Sequence, residues 1–314
     1  MSKYIIFGAS GFIGQHFIEQ LVKDNQEIVG FDLIKKENIH YVDVRNKIEV
    51  SINCNPDDII INLAAVHKTP GYPDKEYFET NILGAKNICD FASKNNVKTI
   101  IFTSSISVYG MSEVAKSENS LPMPNTPYGI SKLTAEYIHK NWQKENSERK
   151  LLILRPGVVF GKNEGGNFTR LYKTLKKKRF FYPGRKDTIK ACIYVKHLIK
   201  TSLRLIEKKD SGVETYNFTY HPAPSIEQIV SEVSKVSNLS YKPILVNGRL
   251  LMAVASIAKK MGFSRMGIHP ERVKKLMISN HIIGDKLNPH LSSQNFDFKA
   301  GLKDWYKDCG GELS

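Results

Sequence analysis

Several classes of protein are excluded by what this chain has little of. It carries only four cysteines in 314 residues (Cys54, Cys89, Cys192 and Cys309), widely scattered and with no Cys-x-x-Cys pair. That spacing offers neither a disulfide framework nor a thiolate zinc site, and reads as reduced packing thiols. The nine histidines include no His-Glu-x-x-His, so no structural metal is expected. No apolar run approaches the ~20 residues that a bilayer span requires. The first residues, MSKYIIFGASG, enter a strand pattern at once, without the apolar core and small-residue cleavage site of a secretory signal. Cytoplasm is therefore the expected compartment. Acidic residues are scarce too, 31 against 46 basic ones, for a formal charge of +15. Such an excess suits nucleic acid, a membrane surface or a small anionic substrate. The lysines are mostly spread out, without interleaved aromatics, which argues against a nucleic-acid groove. The densest run, Lys173 to Arg179 (KTLKKKR), reads as a solvated helix face. RNA binding stays as a separate hypothesis, one that predicts a steep fall of affinity with salt.

What is present is alternation. Short Ile/Val/Leu runs at 4–8, 27–32, 58–65, 97–105 and 151–161 alternate with amphipathic stretches at 12–23 and roughly 76–95. Continuous apolar strands separated by helices predict a parallel sheet covered on both faces. The fold class expected is α/β: a doubly wound parallel-sheet Rossmann domain with a smaller mixed α/β substrate-binding lobe. Residues 1–161 form the first, with about 189–207 returning to it, and 162–188 plus 208–314 form the lobe. Within that lobe, 249–262 (RLLMAVASIAKKMG) reads as an amphipathic helix used for lobe packing, before nucleotide-base contact, with peripheral membrane docking last.

Gly8-Ala-Ser10-Gly11-Phe12-Ile13-Gly14 follows the first strand and opens the first helix. There, glycines permit a tight turn and close approach to a pyrophosphate, and the helix N-terminus supplies free N–H groups. Asp32 ends the second strand, placed to accept hydrogen bonds from an adenosine ribose. A 2′-phosphate would meet its charge, and the adjoining Leu33 and Ile34 offer no arginine, so NAD is favoured over NADP. Further on, Tyr128 and Lys132 stand one helical turn apart, which puts a phenol and an ammonium on one face. The ammonium favours phenolate and prepares the tyrosine for general-base work.

Read in order, these motifs resemble the extended short-chain dehydrogenase/reductases that act on nucleotide-sugars, the NAD-dependent epimerase/dehydratase family. The glycine series is joined by Asp43-Val44, by Asn62-Leu63-Ala64-Ala65 and by Thr80-Asn81-x-x-Gly84. Thr103-Ser104-Ser105-Ile-Ser107-Val-Tyr109-Gly110, Tyr128-x-x-x-Lys132 and Leu154-Arg-Pro-Gly-Val-Val-Phe-Gly161 complete it. The resemblance covers residues 1–200 densely and the rest loosely. It implies that Asp43 and Val44 lie near adenine, and that Leu63, Ala64, Ala65 and Asn81 line the cofactor. Ser105 would hold the sugar C4 oxygen, Tyr128 would transfer the proton, and Lys132 would lower its pKa and bind the nicotinamide ribose. Tyr109 reads as a packing aromatic with a satisfied hydroxyl.

Departures from the family pattern narrow the reaction. Relatives that dehydrate their sugar carry an acidic pair where this chain has Ile106 and Ser107, so 4,6-dehydration is disfavoured. What remains is NAD-dependent redox chemistry at C4 of a nucleotide-diphosphate sugar through a 4-keto species, foremost as a 4-epimerase. A 4-keto reductase or 4-dehydrogenase with exchangeable NAD(H) is the alternative, and a non-catalytic nucleotide sensor is the reading from another class. Lys190 stands where relatives have an arginine against the substrate diphosphate, and Asn167, Arg185 and Arg272 are further candidates there. His67 is expected near the sugar pocket. The resemblance also implies a homodimer through a four-helix bundle, using the helices near 76–95 and 129–147.

Overall fold

Apolar strand runs are stable only where both faces of a sheet are covered, and the computed structural model arranges them so. It describes residues 2–68, 71–208, 210–260 and 276–313. Seven strands form one sheet: β1 (Lys3–Phe7), β2 (Glu27–Asp32), β3 (Ile39–Tyr41), β4 (Ile59–Asn62), β5 (Thr99–Thr103), β6 (Lys150–Pro156) and β7 (Gly212–Phe218). Their order is β7-β6-β5-β4-β1-β2-β3, and every neighbouring pair is parallel. The crossovers run through α1 (Phe12–Lys23), α2 (Asp74–Phe78), α3 (Gly84–Lys94), α4 (Pro127–Lys144) and α5 (Val195–Lys208). The strand order reverses between β1 and β4, so the loops after these two strands diverge and leave a crevice at the carboxyl end.

Side-chain rows set the register. Ile5, Ile60, Ile100 and Leu151 are buried partners across β1, β4, β5 and β6. At roughly 1.5–3 kcal/mol per buried side chain, a slip of one residue would be strongly opposed. The next row reads Phe7, Asn62, Phe102 and Ile153. Asn62 is its polar interruption.

Three local expectations are corrected. The strand expected over 151–161 is two strands. β6 ends at Pro156, and Val158–Phe160 pairs instead with Cys192–Tyr194 in a separate sheet. Gly157 between them has a physical reason: a Cβ there would lie 2.5 Å from the Ala191 carbonyl oxygen. The segment that returns to the first unit is Val195–Phe218 rather than 189–207, because it supplies α5 and the edge strand β7. The single helix expected over 76–95 is α2, a π turn over Glu79–Leu83, and α3.

The chain divides into two compact units, the first running to Gly110 and taking in Glu118–Pro156 and Val195–Phe218. The second comprises Met111–Ser117, Gly157–Tyr194 and the remainder from Thr219. It holds the 158–160/192–194 pair and two further two-stranded ladders, Tyr182–Pro183 with Leu245–Val246 and Ser112–Lys116 with Asn280–Ile282. Among its described residues the helices are Asn167–Lys176, Ile226–Val236, Gly248–Lys260, Asn288–Ser292 and Phe298–Asp308. Its core is aromatic. Phe160 stacks on Phe168 at 4.6 Å and packs against Phe298 and Trp305.

Candidate active site

The glycine loop is built by exclusion. Gly8 has φ +87°, and a Cβ on it would sit 2.8 Å from Ala64 N and Leu63 C. A Cβ on Gly14 would sit 2.4 Å from the Gly8 carbonyl oxygen. The loop after β1 is thereby pressed onto Leu63 and Ala64, after β4. Gly11 caps α1 with no side-chain hydrogen bond, so the first-turn N–H groups opened by Phe12 and Ile13 keep their capacity for an anion. Asp32, at the end of β2, accepts from Ser10 N at 2.9 Å and Ile34 N at 3.0 Å. Those bonds fix its carboxylate beside the loop and leave lone pairs for a diol. The Ser10 hydroxyl is committed to the Ile34 carbonyl at 2.7 Å. Lys36 was missed in the sequence, yet its Nζ donates to Ser10 O at 3.4 Å and brings a cation to the same corner.

Two expected cofactor residues are occupied with other work. Asp43 is gripped by Arg45, Nε to Oδ1 at 2.9 Å and a terminal nitrogen to Oδ2 at 2.7 Å, which holds its carboxyl below the usual range. Asn81, buried in the π turn, accepts from Val66 N at 2.9 Å and donates to Val66 O at 3.1 Å and Ser131 Oγ at 2.8 Å. It thus ties the loop after β4 to α4. Val44 packs under Gly84, where a Cβ would meet its methyl at 2.9 Å. His67 follows in the β4 loop and is exposed.

Ser105, Tyr128 and Lys132 come together through two caps and a glycine. Ser105 caps the short 3₁₀ turn Ile106–Tyr109 by accepting from Ser107 N at 3.1 Å. Thr126 caps α4 through Gly129 N at 3.1 Å, with Pro127 at the first helical position. A Cβ on Gly129 would lie 2.5 Å from Ser107 O, so α4 starts directly against the Ser105 turn. The Ser105 hydroxyl donates to Ser107 Oγ at 3.1 Å and lies beside the Tyr128 phenol. One turn on, Lys132 is 2% exposed, with Nζ 4.4 Å above the Phe102 ring. Burial lowers its pKa to about 7, against the opposing charge of Glu136. Burial also raises the Tyr128 phenol, with Ser105 opposing. Loss of water is thus the larger influence on the phenol, and Ser105 the smaller.

A buried network beneath the pair escaped the sequence reading. Glu136, one turn beyond Lys132, receives Arg155 Nε at 2.8 Å, a terminal Arg155 nitrogen at 2.6 Å and Ser104 Oγ at 2.6 Å. Arg155 also donates to the Tyr109 hydroxyl at 2.6 Å, which in turn donates to Asn217 Oδ1 at 2.9 Å. The fork holds Ser104, and with it the backbone at Ser105, against the face of α4 that carries Lys132. On the other side, Phe102 stacks on His139 at 4.1 Å. Burial lowers the His139 pKa to about 4, so the neutral ring donates from Nδ1 to Ala135 O at 2.7 Å and accepts from Asn62 at 3.2 Å. The signals were present: Glu136 lies at helical spacing from Lys132, and Arg155 lies inside Leu-Arg-Pro-Gly.

The diphosphate candidates belong to the second unit. Arg185 is engaged by Asp187 at 2.7 Å and Glu113 at 3.1 Å, so the free cation expected for a diphosphate is an ion-paired one. Lys190 donates to the Ile278 carbonyl at 2.8 Å, and burial lowers its pKa to about 8. Asn167 opens the helix Asn167–Lys176, with its amide oxygen 3.4 Å from Arg170. Arg272 lies outside the described residues.

Comparison with known proteins shows the family. The sequence model of the NAD dependent epimerase/dehydratase family matches residues 4–218. The chain is 28% identical over 314 aligned positions, 93% of this chain and 92% of the relative, to N-acetyl-alpha-D-glucosaminyl-diphospho-ditrans,octacis-undecaprenol 4-epimerase of Escherichia coli O157:H7. Among solved structures, UDP-glucuronic acid 4-epimerase from Bacillus cereus in complex with NAD is 25% identical, with TM-score 0.64 over 78% of this chain and 87% of that one. UDP-N-acetylglucosamine 4-epimerase from Bacillus cereus, 17% identical, shares the fold with TM-score 0.72 over 99% of this chain and 97% of its own.

Proposed function

Since this chain belongs to the NAD dependent epimerase/dehydratase family, we propose that it inverts C4 of a diphosphate-linked sugar, as an NAD-dependent 4-epimerase of nucleotide-sugar type. The observation that carries the reading is the start of α4 directly against the Ser105 turn, which puts Tyr128 and, one helical turn on, the buried Lys132 beside Ser105. Gly8, Gly11 and Gly14, the uncapped start of α1 and the oriented Asp32 carboxylate fit NAD without change. When bound, NAD supplies the hydride acceptor at C4 and returns the hydride. Ser105 holds the C4 oxygen by hydrogen bonding, and Tyr128 takes the C4 hydroxyl proton as the C4–H bond breaks. Lys132 supplies positive charge to the tyrosine as it ionises. Return of the proton from Tyr128 completes reduction of the ketone, and a sugar that has turned over presents the opposite face. Ile106 and Ser107 provide no carboxylate, so elimination of water has no acid–base pair at that turn.

Lys190, Asn167 and Arg185 form the diphosphate side of this proposal, and His67 the sugar side. Exposed Phe78, Leu83, Ile130 and Tyr137, on or beside α2, α3 and α4, support the expected homodimer through paired helices. Among the described residues no helix is long and apolar enough to cross a membrane, in keeping with action in the cytoplasm. A second reading concerns the carrier. The Escherichia coli relative, aligned along 93% of this chain, carries its sugar on a diphospho-undecaprenol rather than a nucleotide. A polyprenol diphosphate presents the same two phosphates, so the same C4 chemistry serves it.

The deciding experiment is mass spectrometry of the nucleotide that co-purifies, followed by sugar inversion assays without added NAD. UDP-, GDP- and dTDP-sugars are compared with a polyprenyl-diphosphate sugar. Inversion at C4 by retained NAD is expected for one carrier. Accumulation of a ketone with stoichiometric reduction of added NAD would show a dehydrogenase instead. No reaction with any carrier would overturn the assignment.

A further inference from the structure

Two stretches of the second unit contain no acidic residue at all. Between Glu164 and Asp187 there are eight basic residues, and from Val233 through Lys260 five. The fold joins them. Tyr182 N donates to Ile244 O at 2.9 Å and Gly184 N to Val246 O at 2.8 Å, which completes the ladder of Tyr182–Pro183 with Leu245–Val246. Tyr241 donates its hydroxyl to Phe180 O at 2.6 Å and ties down the end of the basic run. One fixed surface therefore carries the exposed cations Lys177, Lys178, Arg179, Lys242 and Arg249. Among them stand large apolar side chains turned to water: Ile244 67% exposed, Leu250 63% and Leu245 54%, with Phe181 beside them.

We propose that this patch docks the enzyme on an anionic lipid bilayer. The proposal rests on the lipid-carrier reading above, which it extends from the substrate to the surface where that substrate resides. Charge complementarity selects the occupant. A second copy of the patch would set cation against cation, whereas an anionic headgroup layer neutralises the ring while the aliphatic and phenyl groups enter the acyl boundary. Lys176 is held by Glu312, so the attraction comes from the cations that follow it. The helix Gly248–Lys260 thus acquires a role beyond packing: Leu250 opens it at the rim of the patch, pointing its first turn toward lipid.

The test is sedimentation of the full chain with phosphatidylglycerol–phosphatidylcholine vesicles, against phosphatidylcholine alone. Binding only to the anionic vesicles is expected, weakened about tenfold or more by high salt, as surface electrostatics require. Two variants at exposed positions, Leu245→Asp with Leu250→Asp and Lys177→Glu with Lys178→Glu, should each weaken binding by about tenfold or more. Inversion of a water-soluble sugar nucleotide is measured in parallel. If binding fails while that activity persists, docking is refuted and the enzymatic reading stands. If binding is retained without activity toward any carrier, docking stands and the enzymatic reading falls. Equal binding by wild type and both variants, or a change of oligomeric state in the leucine variant with vesicle binding intact, would also overturn the proposal.

Discussion

Replacing Lys132 with methionine should stop turnover and yet make the nucleotide-free protein more stable. The ammonium is 2% exposed, and burial lowers its pKa from 10.5 to about 7. Between those two values the unfolded chain binds more protons than the folded one, so wild-type stability rises with pH across this window. Below pH 7 the whole penalty is present. At ~1.4 kcal/mol per pH unit it amounts to at most roughly 5 kcal/mol. Methionine forfeits the Phe102 cation–π contact, worth about 0.5–2 kcal/mol, while the attraction to Glu136 is already contained in the lowered pKa. A net gain of about 2–4 kcal/mol remains at pH 7, or roughly 3–6 °C in melting temperature for a chain of this length. The assay is thermal and denaturant unfolding of both proteins from pH 6 to 10. The advantage of the variant should be greatest at the acid end and shrink as the pH rises through 7 toward 10.5. A variant no more stable than wild type at pH 7, or an advantage that grows with pH, would refute the account of Lys132 as a buried, destabilised cation.

Three further substitutions test the rest of the site. Tyr128→Phe should leave folding and NAD binding intact while turnover falls by at least about 10²-fold; near-normal turnover would remove Tyr128 from the proton path. Asp32→Ala adds no bulk and should weaken the preference for NAD over NADP, the more so because Lys36 then faces the ribose without a carboxylate. An unchanged ratio of binding constants would contradict the ribose role. Glu136→Gln leaves the Arg155 guanidinium buried without its charge partner and should cost about 3–5 kcal/mol, read by denaturant unfolding. A loss under ~1 kcal/mol would show that the fork is dispensable.

The sheet was legible because its strands are apolar on both faces, and the glycine loop because only glycine fits there. β7 was not legible: GVETYNF mixes polar and apolar residues, as an edge strand does, and lacks the Ile/Val run that marked its neighbours. The break at Gly157 was hidden for a different reason. Leu-Arg-Pro-Gly-Val-Val-Phe reads as continuous strand until the carbonyl of Ala191, distant in sequence, is known to press on the glycine. The Ser105–Tyr128–Lys132 constellation was readable from helical spacing and motif order, since both are local. The occupation of Asp43 by Arg45 and of Arg185 by Glu113 and Asp187 was not, because charge lists do not reveal who pairs with whom.

The π turn over Glu79–Leu83 makes residue number, more than residue identity, the constrained quantity in this part of the chain. Such a turn is an α-helix with an extra residue wound into it. Deleting any one residue there would restore a regular helix and rotate α2 against α3 by about 100°. Asn81 would swing away from Val66 and Ser131, and Tyr77 from its ring contact with Tyr128 at 6.3 Å. A point substitution at Asn81 removes its own links to Val66 and Ser131 but leaves the Tyr77 contact in place. A single-residue deletion severs them together, so this helix tolerates changes of spelling far better than a change of length.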